Sequence, residues 1–148
     1  MLSYSQRDTR WRDKRIGNTN LSIGRFGCTI SCIADLSAYF GDNLTPSEVN
    51  DNAKFLSDGR IIWSSLHLAN FVFVKRTYFR NNTDFILALS DSNRAVILSV
   101  AGGSHWVVAT GWQKEINDFK IADPWLGDWS NMSRYNGEIN GAAFFKRK

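Results

Sequence analysis

The chain has 148 residues, 43% hydrophobic and 14% aromatic, enough to fill one core over residues 1–148 and too apolar for a disordered chain. No stretch approaches the roughly 20 apolar residues that span a bilayer. The segment from Met1 to Arg7 lacks the apolar run of a signal peptide, which predicts a chain kept in the cytoplasm, or one that reaches a cell wall on lysis or in a virion. The formal net charge is +4, with basic residues gathered between Arg7 and Arg15 and again at Lys146–Lys148. That suits an anionic partner such as a bacterial wall, but the aromatic-basic interleaving of a nucleic-acid platform is missing.

Residues 3–16 are polar with two aromatic anchors, Tyr4 and Trp11, and read as an extended arm laid over a surface. A Gly-rich loop over 17–27 delivers the chain to Cys28. From there Ile30, Ile33, Ala34, Leu36 and Phe40 recur at helical spacing, and Gly41 is placed to stop the helix. Thr45-Pro46-Ser47-Glu48 is a helix start with a capping box, predicting a second helix to about Phe55 or Leu56. A third helix is expected over 61–70, where His67 sits among apolar neighbours in a structural or surface role. Phe71–Val74 and Thr77–Phe79 favour strand, and 83–89 reads as a short helix capped by Thr83. Strands follow over 95–100, 104–112, 119–123 and 142–145. Helices first and then a run of strands define an α+β fold, with the helices packed on an antiparallel sheet.

The two cysteines, Cys28 and Cys32, lie one helical turn apart, where a disulfide meets the wrong torsions. A zinc site would need His67 and His105, too far apart for a compact module. A thiol in the first turn of a helix faces unpaired N–H groups and the positive end of the dipole, which favour thiolate and suit a nucleophile. Cys32, one turn deeper, reads as packing.

A thiol hydrolase also needs an imidazole, a group that orients it, and a donor for the oxyanion. His105 opens one predicted strand and Asp123 closes the next, so pairing of the two as a hairpin makes them neighbours. Gln6 is the side-chain oxyanion donor, together with the backbone N–H of Cys28. Gly27 lets a substrate carbonyl approach closely, and Ser104, beside His105, is a further substrate-binding candidate. Trp106 and Trp112 pack the sheet, whereas Trp125 and Trp129, in the loop after Asp123, line a substrate groove.

Four blocks stand in order: Tyr4-Ser5-Gln6-Arg7-Asp8 with Arg10-Trp11, Gly27–Ala34, Gly103–Gly111, and Ile121–Pro124. Together they resemble the papain-like cysteine peptidases related to the bacteriocin-leader-processing proteases, the peptidase C39-like group. The resemblance implies a papain-like fold, Cys28 as nucleophile, His105 as general base and acid, Asp123 as orienting carboxylate and Gln6 as oxyanion donor. Many relatives carry Gly-Pro after the cysteine, where this chain has Thr29-Ile30.

The reading is therefore a cysteine hydrolase that cleaves a peptide or amide bond without metal or cofactor. A bacterial wall peptide, as for a phage endolysin, is the first substrate expected, and leader processing or acyl transfer to an amine the enzymatic alternatives. A non-catalytic binder, such as a phage structural component or an inhibitor on the same scaffold, is the alternative from another class.

Overall fold

The computed structural model describes residues 2–148. Three helices come first: α1 (Ile23–Phe26), α2 (Cys28–Phe40) and α3 (Pro46–Asn52). Six strands follow, β1 (Phe71–Thr77), β2 (Arg94–Val100), β3 (His105–Gln113), β4 (Asp118–Asp123), β5 (Asp128–Asn131) and β6 (Gly141–Arg147), with α4 (Asn82–Leu89) between β1 and β2. They form one antiparallel sheet in the order β1-β6-β2-β3-β4-β5. The last strand is thus inserted between the first two, so a simple meander is confined to β2 through β5.

The α+β architecture agrees with the sequence. β2 reads as a continuous apolar run because both of its faces are covered. Ile97, Val108, Ala122, Ala143 and Phe145 join the core under α2 and α3, whereas Val96, Leu98, Val107, Ala109 and Ile121 join a second core that includes Phe85 and Ala88 of α4. Alternate residues of each strand therefore meet different helices.

α2 is the buried helix expected from Cys28 onward, and ten of its thirteen residues are buried. It ends at Gly41, whose φ of 97° is a left-handed conformation that glycine adopts without a Cβ penalty. The single Gly41 N–H is shared between the Ser37 and Ala38 carbonyls. α3 starts as predicted, with Thr45 and Glu48 forming a reciprocal capping box and Pro46 at the first position.

Several local expectations are corrected. The N-terminal arm is not merely laid on a surface: it turns repeatedly and buries Gln6, Trp11 and Ile16 almost completely. Trp11 is held edge-on against Tyr4 and donates its indole N–H to the Ser5 carbonyl at 2.8 Å, so its ring can leave water without an orphaned donor. α3 stops at Asn52 rather than near Phe55. The region 61–70 forms only a 3₁₀ turn at Trp63–Ser65, because Ile61 bridges to Phe55 and the Ser65 hydroxyl binds backbone at Lys54 and Ile62. β1 ends at Thr77, leaving Tyr78 and Phe79 exposed, and α4 is capped by Asn81 rather than Thr83. α1 and β5 stand where the sequence predicts loop.

Candidate active site

Cys28 is the first residue of α2. The short α1 immediately before it is capped by the Ser22 hydroxyl, and the two helices meet at Gly27. A Cβ on Gly27 would lie 2.5 Å from the Ile23 carbonyl oxygen and 2.6 Å from Ile23 Cγ2. The close approach that this glycine permits is thus to Ile23 of its own chain, and it sets the angle at which Cys28 enters the helix. The Cys28 side chain is 7% exposed, next to the unpaired N–H groups of a helix start.

β3 brings His105 to the same end of the molecule. The Cys32 thiol donates to the Trp106 carbonyl at 3.5 Å, tying the first turns of α2 to the first residues of β3. Burial of Cys32 pushes its pKa up, so this thiol stays protonated and structural. β3 and β4 pair with Val108 opposite Ala122; continuing that register sets Val107 against Asp123, with His105 on the diagonal. There His105 Nε2 meets Asp123 Oδ1 at 2.8 Å.

Asp123 is almost wholly buried, and both its oxygens are occupied. Oδ1 also accepts from the Trp125 N–H at 3.0 Å, while Oδ2 accepts from the Tyr135 hydroxyl and from Arg134 Nη1 at 3.1 Å. Burial by itself would raise the pKa of this carboxyl. The hydrogen bonds from His105, Tyr135 and Trp125 outweigh it and hold the group well below the usual carboxylate range. Burial, which disfavours the charged form, pulls His105 down, but the Asp123 hydrogen bond and the adjacent Cys28 sulfur together raise its pKa to about 9. With Nε2 committed to Asp123, Nδ1 is the ring nitrogen left for Cys28.

Arg134 and Tyr135 were not singled out from the sequence. They belong to a 3₁₀ helix over Met132–Tyr135 that follows β5, and Arg134 is fastened by a two-pronged pair to Asp128 at 2.8 and 2.9 Å. The only signal was the ordinary polarity of the segment, which marks no contact with Asp123.

The arm closes the site from the other side. The Gln6 N–H donates to the Pro124 carbonyl at 2.8 Å, directly after Asp123, and Gln6 Nε2 donates to the Gly24 carbonyl in α1 at 3.3 Å. Gln6 is 1% exposed, and this arm residue ties Pro124, next to Asp123, to Gly24, four residues before Cys28. Among the remaining candidates, Ser104 is exposed and turns its hydroxyl back to the Ala101 carbonyl. Trp125, inside the turn after Asp123, and Trp129, in β5, are 43% and 59% exposed, with the Arg7 guanidinium over the Trp125 ring. Trp106 and Trp112 pack against the two cores as expected.

Among solved structures, the chain is similar to a double glycine motif protease from an AMS/PCAT transporter, determined in complex with the leader peptide. The match has a TM-score of 0.57 and spans 100% of this chain and 99% of that one, at 17% identity. The fold is that of a papain-like cysteine peptidase. At this identity the likeness is one of fold, and it agrees with the resemblance carried by the four sequence blocks. No family model and no curated protein matches the chain. Within the papain-like fold, one end of the sheet gathers a helix-start thiol, an imidazole locked to a buried carboxylate, and a buried amide.

Proposed function

We propose that the protein is a cysteine peptidase or amidohydrolase acting through Cys28, His105, Asp123 and Gln6. The observation that carries the reading is the 2.8 Å His105 Nε2–Asp123 Oδ1 contact, on a carboxylate with every oxygen engaged, beside a thiol at the start of α2. A purely structural histidine does not need an imidazole aimed between a fixed carboxylate and a thiol.

In this mechanism Nδ1 of His105 takes the Cys28 proton, giving thiolate and imidazolium. The sulfur attacks the substrate carbonyl carbon, and the C=O electron pair moves to oxygen. The resulting oxyanion accepts from the Cys28 N–H and from the Gln6 Nε2 hydrogen not given to Gly24. Collapse breaks the C–N bond, with the His105 proton passing to the leaving amine. Water, deprotonated by His105, then attacks the thioester and releases Cys28 and the carboxylic acid. Asp123 keeps its charge throughout and holds the ring in place.

The solved relative binds a leader peptide, which supports an extended peptide substrate here. We take bacterial wall peptides as the first class to assay and double-glycine leader peptides as the second. The alkylation rate of Cys28 by iodoacetamide, measured against pH in the parent and in His105→Ala, tests the reading. Modification well below the unperturbed thiol pKa of about 8.5, abolished by His105→Ala, is expected, along with a hydrolysis profile that falls as His105 loses its proton near pH 9. An ordinary thiol profile unchanged by the substitution would overturn it.

A further inference from the structure

A pocket of about 260 Å³ opens against the residues that follow Cys28 and His105: Thr29 and Trp106 line it, with Arg60, Trp63, Arg76 and Tyr78. Two of its lining residues are arginines and none is acidic. Arg76 is the unusual one. Its guanidinium lies 4.1 Å over the Tyr78 ring and 4.6 Å over the Trp106 ring, and Trp106 packs edge-on against Trp63 at 5.5 Å.

The two rings pack against the guanidinium and replace part of its water. One N–H is spent on the Thr77 carbonyl, and the planar fork has further donors to offer. Arg60 is paired with Asp58 at 2.7 Å, but no carboxylate of the described residues pairs with Arg76. Partial burial of an arginine without a counter-ion is unfavourable by itself, as the downward pull on its pKa reflects. An aromatic-walled fork of this kind is matched by a planar anion that accepts two parallel hydrogen bonds.

Resting on the peptidase reading above, we infer that this pocket binds a carboxylate of the substrate within about two residues of the scissile bond. Arg76 is the specificity-determining residue, and Tyr78 and Trp106 pack against its guanidinium; Arg60, already paired with Asp58, adds no free charge. The carboxylate is either an acidic side chain or a free chain-terminal group.

The test compares the parent with Arg76→Met, which keeps an apolar stem against the two rings, and Arg76→Lys, which keeps the charge. The first readout is the rate of Cys28 alkylation by iodoacetate divided by that by iodoacetamide, reagents that differ in charge. Arg76→Met should lower this ratio about three- to tenfold, and Arg76→Lys should retain most of it. The second readout is kcat/KM on a positional library of internally quenched peptides with Glu–Gln pairs, and with free or amidated termini. The parent should prefer the carboxylate member at one position by at least about tenfold, and Arg76→Met should lose that preference.

An unchanged ratio in Arg76→Met, or cleavage of acidic and amide members alike by the parent, overturns the pocket while leaving hydrolysis intact. A ratio that falls while the parent cleaves no peptide sustains the anion site and overturns the hydrolytic reading instead.

Discussion

Asp123 is the residue on which the candidate site turns, because it is charged, buried and fully hydrogen-bonded at once. A buried carboxylate is costly unless each lone pair has a donor. Here His105, the Trp125 N–H, Arg134 and Tyr135 supply them. Tyr135→Phe should therefore destabilise the fold by about 1.5–3 kcal/mol, the usual loss for a hydrogen bond to a charged group, read as a shift in denaturant midpoint. Its ring would still sit 5.7 Å from the imidazole, so packing against His105 is retained and the lost hydroxyl is isolated. A variant as stable as the parent would mean that Arg134 alone satisfies that oxygen.

At this scale the sequence was legible where chemistry is local. A cysteine at a helix start and a histidine and aspartate at paired strand ends could be read from periodicity and turn residues. Arg134 and Tyr135 could not, because only the path of β5 carries the Met132–Tyr135 turn back over Asp123. Nor did the chain order reveal that Nε2 rather than Nδ1 faces the carboxylate.

Among the elements, α2 matters most, since its first residue is Cys28 and its length is set by two glycines. Gly41 ends it through backbone conformation, and Gly27 begins it by leaving room for Ile23. Gly27→Ala should force α1 and Cys28 apart, costing about 1–3 kcal/mol as overpacking does and altering the Cys28 alkylation rate. Thr45→Ala, which removes the α3 capping box, should cost about 0.5–2 kcal/mol and leave that rate unchanged. Chemical denaturation and alkylation on both variants separate the two effects; parent-like stability and reactivity in Gly27→Ala would refute the steric role. The expected helix over 61–70 failed for a related reason. Its apolar residues have helical spacing, but the bridge that folds Ile61 back onto Phe55 holds the backbone elsewhere.

For the whole molecule, the titrating groups set an acid-side optimum of stability. Asp35, in the middle of α2, is fully buried; one carboxyl oxygen accepts from the Tyr4 N–H at 2.7 Å and the other has no partner. Burial raises its pKa to about 8. The native state thus keeps a proton that the unfolded chain, with a pKa of about 3.9, has released, and stability falls as pH rises between those values. His105 acts in the same direction: raised to about 9, it contributes stability below about 6.5 that is lost as pH climbs through 9. Asp123, held low, opposes both, since its contribution is present above the unfolded value and is lost only in stronger acid. Asp35→Asn should leave the melting temperature nearly unchanged near pH 4 and raise it above the parent near pH 8, flattening the slope between. A lower melting temperature at pH 8 would show that the Asp35 carboxylate is needed to hold the arm.

What the sequence determined by itself is what depends on near neighbours: the α2 boundaries, the α3 cap, the main strands, the α+β class, and the pairing of His105 with Asp123. Tertiary structure decided what depends on chain segments meeting from afar. It buried the N-terminal arm so that Gln6 bridges Pro124 and Gly24, inserted β6 between β1 and β2, and set Arg76 against the Tyr78 and Trp106 rings. Periodicity and capping report the few residues around a position. The loss of water from an arginine or a glutamine depends on what packs over it, and that is set by the path of the whole chain.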